Sequence, residues 1–581
     1  MVTRFRDGCR SALLSIRMRI LVFLAGVAFS AVLEGQPDRF DVLIRNGRVV
    51  DGSGNPWYYA DIGIRGDSIV AMGKLGSAAA ARVIDAAGLT VVPGFIDMHS
   101  HSDYTLLVDG RAESKVHQGV TSEILGEGSS AGPQIGPTGQ ELQRSLRASP
   151  VKVDWTTLGE YFQKLLTSGI SVNIASYVGS GQVRGVVMGT ENRKPLDAEL
   201  TRMDELVDQA MRDGAIGVSS ALSYVPNTFM TTEEIARLCR IAGRYGGIYA
   251  THLRRQDLEM RAGVLEALEV GQKAGVPVHI FHYKVKHPQM WGKLSEFSVL
   301  VEQARARGQV VTGDLYPYIA GMTGLSASIP VRFLEGGTSK MLERIKDADI
   351  RGEIRRDIAN GLPDWENEVG EAGGFDRMVI SAVQKPENKK YEGKSLGDLA
   401  RATGKDPVDA MCDLLLSEGG RVPIIQFAAA DQDLEHAIRL PWTAIGSDGT
   451  AMHPDRFPWL GKPHPRHYGA YPRVLGPYVR EKNLISFPEA IRKMTSLPAQ
   501  TLGFLDRGLL RPGMKADVVI LQPERVADRA TFDNPHQFPV GIEFVLVNGT
   551  VVAERGRHTG ARPGQILRGK GYSASAAASG F

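Results

Sequence analysis

Two histidines separated by one residue, His99 and His101, lie in the segment Gly94–Asp103. Residues two apart in an extended chain point to the same side, so both imidazoles can face one point. Neutral imidazole is the commonest protein ligand of zinc-like ions, and two paired rings begin a chelate. The apolar run Leu89–Val92 before them predicts a buried strand. The spacing alone is equally compatible with two surface histidines beside a turn. Evidence for a metal site must therefore come from other parts of the sequence.

Three other apolar runs end in side chains that can bind a metal ion. They end at His252, at His282 and at Asp448, which precedes a glycine. A single histidine at a strand end is usually a hydrogen-bonded structural residue, but four histidines and an aspartate in that position are hard to explain by packing. We expect His279 to face elsewhere, because its alternation is out of phase with His282. The pattern predicts one metal centre at the carboxyl ends of neighbouring strands, where the active sites of α/β barrels lie.

The middle of the chain alternates strands with helices, which favours an α/β fold with a parallel sheet closed into a (β/α)8 TIM-like barrel. We place this barrel at residues 93–500, with an inserted lid at about 336–401. Strand-rich segments at 36–92 and 501–581 predict a small β-sandwich built from both ends, with hairpin turns at Asn46-Gly47 and Asn548-Gly549. The clearest helix candidates are Asp197–Arg212, Thr232–Arg244 and Met260–Ala274.

The composition is that of a soluble globular protein of more than one domain. The 581 residues are 43% apolar and 23% charged, with a formal net charge of +3. This balance, without a basic stripe, argues against nucleic-acid binding and leaves a small molecule as the expected partner. The sequence does not reveal the oligomeric state.

The first 35 residues differ from the rest. Five arginines precede an apolar stretch at 20–33 that ends in small residues, as in a secretory signal peptide, and Met18 is an alternative start. We expect export to the periplasm or beyond, with cleavage between Ser30 and Gln36 and no stable membrane insertion afterwards; an uncleaved anchor is the alternative. The three cysteines, Cys9, Cys239 and Cys412, form no disulfide framework.

The chain resembles the N-acyl-D-amino-acid deacylases (D-aminoacylases) of the amidohydrolase superfamily over almost all of residues 40–567. The resemblance implies the barrel, the β-sandwich and a mobile insertion. The matching phrases, in the order found in that family, are Gly94–Asp103, Gln118–Thr121, Gly214–Ser219, Leu222–Pro226, Thr251–Arg254, His282–Lys284, Tyr316–Tyr318, Gly446–Gly449, His464–Arg466 and Met494–Ala499.

The resemblance implies that His99, His101, His252 and His282 bind the metal and that Asp448 is both ligand and proton shuttle. The expected cofactor is one or two Zn²⁺ ions, with Mn²⁺ or Co²⁺ possible.

One departure concerns a cysteine ligand that much of the family carries in a Gly-Asn-Cys-Gly stretch. This chain reads Leu125-Gly-Glu-Gly-Ser129, so either Glu127 or Gly128 stands opposite that cysteine. A carboxylate oxygen can bind zinc, and we predict Glu127 as the replacement ligand. The alternative is that the Glu127 carboxylate does not bind the metal but lies behind the ligands or faces the substrate.

For the substrate carboxylate, the resemblance points to Lys284, Tyr224, Tyr316 and Arg466. A guanidinium offers a two-pronged fork to a carboxylate, and a lysine adds a point charge.

The expected reaction is metal-assisted hydrolysis of an N-acyl-D-amino acid to a free D-amino acid and a carboxylate, with Asp448 as general base and acid. Hydrolysis of D-residue-containing dipeptides is a close alternative. Cyclic-amide hydrolysis, as in dihydropyrimidinases, usually needs a metal-bridging carboxylated lysine, and the candidates Lys152 and Lys164 lie in polar or helical contexts. A third alternative is a secreted binding protein without catalytic activity. Its only support is the difference between Glu127 and the family's cysteine.

Overall fold

The computed structural model describes residues 39–573 except 148, 364, 458 and 459. The predicted signal peptide at 1–35 and Cys9 therefore lie outside the described residues. Within the described part of the chain, no helix has both the length and the apolar character needed to cross a membrane.

Short strands and helices alternate through most of the described chain. The strands are β1 (Phe40–Val49), β2 (Tyr58–Arg65), β3 (Ser68–Gly73), β4 (Ala80–Asp85), β5 (Thr90–Pro93), β6 (Phe95–Asp97), β7 (Val120–Leu125), β8 (Asn173–Ser176), β9 (Val178–Gly179), β10 (Gly217–Ala221), β11 (Ile248–His252), β12 (Val278–Ile280), β13 (Val311–Leu315), β14 (Gly321–Gly324), β15 (Met378–Ile380), β16 (Pro423–Gln426), β17 (Thr443–Ile445), β18 (Val518–Leu521), β19 (Ile542–Val547), β20 (Thr550–Glu554) and β21 (Arg557–His558).

The helices lie mainly between the parallel strands and in the segment between β14 and β17. They are α1 (Thr105–Val108), α2 (Glu113–Val116), α3 (Pro137–Ser145), α4 (Leu158–Ser168), α5 (Ser180–Met188), α6 (Asp197–Asp213), α7 (Thr232–Arg244), α8 (Met260–Ala274), α9 (Leu294–Ala306), α10 (Gly337–Arg344), α11 (Ala348–Asn360), α12 (Glu368–Ala372), α13 (Leu396–Thr403), α14 (Pro407–Glu418), α15 (Asp431–Arg439), α16 (Arg466–Arg473), α17 (Phe487–Met494) and α18 (Ser496–Leu502).

The three helices predicted most clearly from the sequence are confirmed as α6, α7 and α8. Helix α7 begins at a capping box, in which Thr231 and Glu234 each bind the other's backbone N–H. Such a box satisfies amide groups that the first helical turn leaves without partners. These local signals explain why the start of α7 could be read from the sequence.

Strands from both ends of the chain share one nine-stranded sheet. Its order is β21-β20-β19-β18-β5-β1-β2-β3, with β4 paired to β1. The two ends meet at β5, which runs parallel to β1 and antiparallel to β18. Buried aliphatic side chains such as Ile44, Ile62, Val518 and Ile520 form a core of their own on this sheet. The sharing of strands between the two ends agrees with the sequence analysis.

The hairpin turn predicted at Asn46-Gly47 is wrong. β1 continues through both residues, and its pairing with β2 shifts between Ile44 and Gly47, which is a β-bulge. Asn46 has the left-handed conformation that the dipeptide favours, with φ of 61°. Here that conformation forms a bulge within one strand and not a turn between two strands. The turn at Asn548-Gly549 is confirmed, because Val547 pairs with Thr550 across it.

The parallel strands of the middle region form a three-stranded sheet and a six-stranded sheet. β6, β7 and β8 are neighbours, and β9, β10, β11, β12, β13 and β17 follow in that order. Tyr177 joins β8 to β9. The last strand returns to the first, because the Asp448 amide donates to the His99 carbonyl over 2.8 Å and the His101 amide to that of Gly449 over 3.0 Å. The carboxyl ends of all these strands therefore meet at one face.

The strand that leads into His99 is β6, not the run Leu89–Val92 expected from the sequence. That run is part of β5 in the terminal sheet. The chain passes from one sheet to the next at Gly94, where a Cβ would approach the Thr121 side chain to 2.2 Å. Because only Gly94 separates β5 from β6, the pattern of apolar residues does not show that the chain moves from one sheet to the other there.

The segment 321–426 carries its own small sheet, β14-β16-β15, and its own apolar core around Leu325, Ile380 and Ile424. It begins before and ends after the range 336–401 expected from the sequence. The two flanking strands have four residues each, too few for an alternation that distinguishes them from the neighbouring loops.

The last described residues run across the amino ends of the parallel strands. The amide of Ile174 donates to the carbonyl of Gln565 over 2.8 Å, and that of Leu567 to the carbonyl of Ile174 over 2.7 Å. The amide of Gly569 donates to Gly214 over 2.9 Å. Ile174 is fully buried, so its backbone depends on this segment.

We predict that a chain ending at Gly560 unfolds at lower denaturant concentration than the full chain. Each buried backbone group left without a partner costs about 1–3 kcal/mol. A chain ending at Ser573 keeps all of these bonds and is the control. Denaturant unfolding followed by circular dichroism checks this, and equal midpoints for the two truncations would contradict it.

Candidate metal centre

The carboxylate of Glu127 lies at the centre of the predicted ligands. Its Oε2 is 2.9 Å from Nε2 of His99 and 3.1 Å from Nε2 of His101. Nε2 of His101 is also 3.0 Å from Oδ1 of Asp448. These four side chains form one candidate metal-binding group.

A second group shares the same carboxylate. Oε1 of Glu127 lies 3.2 Å from Nδ1 of His252 and 3.6 Å from Nε2 of His282. The two facing nitrogens of His252 and His282 are 2.9 Å apart. Each oxygen of Glu127 therefore faces a different pair of imidazoles.

All of these residues stand at the carboxyl ends of the parallel strands, or directly after them. His99 and His101 follow β6, Glu127 follows β7, and Asp448 follows β17. His252 ends β11, and His282 follows β12. The parallel arrangement thus brings side chains more than 300 residues apart in sequence to one point. This agrees with the predicted convergence.

The backbone shows which of the two residues, Glu127 or Gly128, can present a side chain to the histidines. Gly128 has φ of 58°, and a Cβ there would lie 2.4 Å from the Cβ of Ala221. Only glycine fits that close approach, so the side chain that faces the histidines comes from Glu127.

Two site residues have a left-handed backbone that non-glycine residues seldom adopt. His282 has φ of 34° and Asp448 has φ of 48°. Such conformations cost of order 1–3 kcal/mol each and persist only where the surroundings hold them. The amide of His282 donates to Oδ1 of Asp314 over 2.9 Å, and the Ser447 amide donates to Oδ1 of Asp97 over 2.8 Å.

Glu127 and His282 have protonation states that suit a cation. The pKa of His101, in contrast, is raised to about 9, because the lowering effect of its burial is outweighed by the carboxylates of Asp448 and Glu127. Burial by itself raises the pKa of Glu127, but the imidazoles of His99, His101, His252 and His282 bring it well below its usual value. Burial, with further contributions from Lys284 and His252, lowers the pKa of His282 well below its usual value. An anionic oxygen ligand beside a neutral imidazole is the donor pair that Zn²⁺ prefers.

The spacing of the donor atoms also fits a metal ion. Ligands placed tetrahedrally at about 2.0–2.1 Å from zinc lie about 3.3 Å from one another. In the first group, the four separations between an imidazole nitrogen and a carboxylate oxygen are 2.9, 3.0, 3.1 and 3.8 Å. One ion can therefore be bound by His99, His101, Glu127 and Asp448 with small movements.

Comparison with known proteins identifies relatives of the whole chain. The model of the amidohydrolase family, Amidohydro_3, matches residues 82–295 and 391–553. A D-aminoacylase of Alcaligenes xylosoxydans xylosoxydans is 34% identical over 536 residues, which cover 92% of this chain and 98% of that protein. The chain belongs to the amidohydrolase family.

Solved structures of similar fold include an N-acyl-D-glutamate deacylase from Bordetella bronchiseptica, in complex with zinc and a phosphonate inhibitor that mimics the tetrahedral intermediate. Its TM-score is 0.77 at 32% identity, covering 91% of this chain and 100% of that chain. Another solved structure is of a D-aminoacylase with a binuclear metal centre, for which one-metal activation and second-metal attenuation are described. Its TM-score is 0.75 at 32% identity, with the same coverage. This amidohydrolase therefore has the α/β fold of its superfamily.

The predicted substrate-binding residues lie beside the metal centre. Nζ of Lys284 and the guanidinium of Arg466 lie 5.1 and 4.8 Å from the centre of the Tyr316 ring. Tyr224 packs edge-on against His252 and bonds Thr323 through its hydroxyl over 3.0 Å. Among the described residues, Lys284 forms no ion pair.

Arg466 is engaged differently from the sequence expectation. Its two terminal nitrogens bind both oxygens of Asp448, at 2.9 and 3.0 Å. The guanidinium therefore faces the predicted proton shuttle in this structure, as well as the ring of Tyr316.

The sequence analysis missed Asp314, which lies behind the ligands. Its Oδ1 is 3.6 Å from Nδ1 of His99, and its Oδ2 is 2.9 Å from Nε2 of His279. His279 thus faces Asp314 rather than the metal ligands, as its alternation indicated. The signal for Asp314 was a carboxylate inside the otherwise apolar strand β13.

The sequence analysis also missed Lys115, whose side chain is fully buried beneath the site. Nζ lies 2.6 Å from Oδ2 of Asp97, donates to Oγ of Ser447 over 2.7 Å, and reaches Oε2 of Glu123 at 3.4 Å. It also donates to the Gly449 carbonyl over 3.0 Å. Lys115 thereby ties β6 and β7 to the loop that carries Asp448.

We predict that Lys115→Met lowers the free energy of unfolding by about 3–5 kcal/mol, because Asp97 and Glu123 are left buried without a cation. The measurement is denaturant unfolding monitored by fluorescence. Lys340→Met removes a surface pair with Glu343 and is expected to cost less than about 1 kcal/mol. Comparable losses in both variants would show that Lys115 is not a structural brace.

Proposed function

We propose that this amidohydrolase cleaves the amide bond of N-acyl-D-amino acids to give a free D-amino acid and a carboxylate. The observation that carries the proposal is the convergence of four imidazoles, Glu127 and Asp448 at one face of the parallel strands. The D-aminoacylase and N-acyl-D-glutamate deacylase relatives support the same reaction over nearly the full chain.

The architecture that goes with this function is a closed (β/α)8 barrel. The cyclic strand pairing, from β6 round to β17 and back to β6, supports it. We assign the nine-stranded terminal sheet to a β-sandwich that supports the barrel, and residues 321–426 to an inserted subdomain. Export rests on the N-terminal sequence and stays a proposal.

The proposed cofactor is zinc, held by His99, His101, Glu127, His252, His282 and Asp448. The two oxygens of Glu127 face two donor groups, so the site can hold one ion or two, and Mn²⁺ or Co²⁺ are alternatives. When bound, the metal would supply Lewis acidity towards the scissile carbonyl and lower the pKa of a water molecule.

Asp448 is placed to move the proton that hydrolysis requires. Its carboxylate takes a proton from the attacking water, the water oxygen bonds to the carbonyl carbon, and the C–N bond breaks. The same proton then passes from Asp448 to the leaving nitrogen, which departs as the amine of the D-amino acid. The guanidinium of Arg466 holds Asp448 in its ionised form, since it lowers the pKa of that carboxyl.

Lys284 is proposed to bind the α-carboxylate of the substrate, with Tyr316 beneath it and Tyr224 on the other side of His252. Arg466 also lies over the Tyr316 ring and can share the carboxylate. The substrate is therefore a small anionic molecule.

Dipeptides with a D-residue have the same amide and carboxylate groups, so they are a second candidate class. The cyclic-amide alternative loses support, because Glu127 occupies the place between the two donor groups. Of the lysines considered for a bridging role, Lys152 is exposed and Lys164 pairs with Asp154. A non-catalytic binding protein would need no proton-transfer group beside the ligands, yet Asp448 is there.

We predict that the zinc-loaded protein hydrolyses N-acetyl-D-amino acids and leaves their L-enantiomers almost untouched. Asp448→Asn should lower kcat by about 10²–10⁴-fold, the usual contribution of a general acid–base group. Metal content by elemental analysis should stay close to that of the wild type. Retention of most activity in this variant would remove Asp448 from the mechanism, and no turnover of any D-substrate by the wild type would overturn the proposed function.

We predict that Lys284→Met raises KM for N-acetyl-D-amino acids by about 10–100-fold with a smaller change in kcat, since a hydrogen bond to a charged group contributes about 1.5–3 kcal/mol. In the corresponding N-acetyl-D-amino-acid amides a carboxamide replaces the α-carboxylate, so the variant and the wild type should remove the acetyl group from them at similar rates. Lys340→Met is the surface control. An equal loss on acids and amides would assign Lys284 to another role.

A further inference from the structure

The ring of His282 has different neighbours at its two nitrogens. Nε2 faces the metal centre, 2.9 Å from Nδ1 of His252 and 3.6 Å from Oε1 of Glu127. Nδ1 faces away from the centre and lies 3.1 Å from the carboxamide nitrogen of Gln256. Gln256 is fully buried. The carboxamide is therefore the group that decides which nitrogen of His282 carries the proton.

A metal ligand must present a lone pair to the ion. If His282 binds through Nε2, its single ring proton is on Nδ1. Two N–H groups would then face each other, unless the carboxamide of Gln256 turns by 180° and offers its oxygen. The carboxamide oxygen, Oε1, is buried and has no hydrogen-bond partner in its present orientation. The half-turn removes the conflict and gives the oxygen a partner.

We propose that Gln256 is a positioning residue for the metal, whose side-chain oxygen accepts a hydrogen bond from Nδ1–H of His282 and so fixes Nε2 as the ligand. This inference rests on the metal centre of the proposed function. Groups that accept a hydrogen bond from a metal-bound imidazole hold the ring in place and raise its basicity.

The backbone of Gln256 is held on both sides, which fixes where its side chain can reach. Its amide donates to Oε1 of Glu366 over 2.5 Å, and its carbonyl accepts from the Lys286 amide over 2.7 Å. Nζ of Lys286 lies 3.2 Å from Oε2 of Glu366. Glu366 belongs to the segment 321–426, so that segment helps to place a residue that contacts the ligand His282.

His252 lacks such a fixed partner. Its outward nitrogen, Nε2, lies 2.9 Å from Oγ of Ser223, and a hydroxyl can either donate or accept. The Ser223 hydroxyl can match either proton position on His252 by rotating its own proton, whereas a proton on Nδ1 of His282 requires one orientation of the Gln256 carboxamide.

The test compares zinc affinity, by competition with a chromogenic chelator, in the full-length wild type, Gln256→Met and Gln256→Glu. The Met variant removes the acceptor at similar volume and should bind zinc about 10–100-fold more weakly. A Glu side chain can still accept, so Gln256→Glu should stay within a few-fold of the wild type. Gln134→Met, at another buried glutamine whose Oε1 has no partner, controls for the loss of a buried amide and should bind like the wild type.

Each outcome decides the proposal. Equal affinity in Gln256→Met and the wild type would overturn it, as would a Glu variant as weak as the Met variant, because Gln256 would then act as a donor. If Gln256→Glu does not fold, neutron diffraction of the zinc-loaded wild type decides: a Gln256 carboxamide whose oxygen faces Nδ1 of His282 supports the proposal, and one whose deuterated nitrogen faces Nδ1 overturns it. Failure of the wild type to bind zinc would instead be a failure of the proposed function.

Discussion

The structure depends on burying the carboxylate of Glu127 among four imidazoles. Moving a carboxylate out of water costs several kcal/mol unless opposite charge and hydrogen bonds surround it. Here His99 and His101 face one oxygen, while His252 and His282 face the other. The four imidazoles come from three separate parts of the chain, so the carboxylate can be satisfied only when the parallel strands are in place. The fold and the site therefore form together.

A second layer of buried polar residues keeps the ligands in position. Asp314 binds the amide of His282 and faces His99 and His279, while Lys115 ties Asp97 to the loop before Asp448. These contacts hold the left-handed backbone of His282 and Asp448, which would otherwise relax. The layer consists of ion pairs and charge-assisted hydrogen bonds that are closed to water, which makes them stronger and more directional than surface pairs. The ligands are thus held in position by residues that are not themselves predicted to bind the metal.

His252, His282 and Asp448 could be predicted from the sequence because each one ends an apolar run, and parallel strands bring such ends together, whereas Glu127 was predicted only from the family resemblance. The long helices α6–α8 were predicted from their composition, which is rich in Ala, Glu, Arg and Leu. Lys115 could not be found in this way, since a lysine in a one-turn helix normally lies at the surface. The bulge at Asn46 was misread because a left-handed asparagine before glycine serves a turn and a bulge alike. Strand β6 is short and follows a glycine, and the strands that flank the inserted segment have four residues each. Such strands are too short to show an alternation of apolar and polar residues.

The predicted replacement of the family's cysteine by Glu127 would change more than one ligand atom. A thiolate presents a single sulfur, whereas a carboxylate presents two oxygens, and in this structure the two oxygens face different donor groups. Glu127 can therefore bind at one or both positions without moving its backbone, which the close contact of Gly128 with Ala221 holds fixed. A hard oxygen ligand in place of a soft sulfur also weakens the preference for zinc relative to manganese or cobalt.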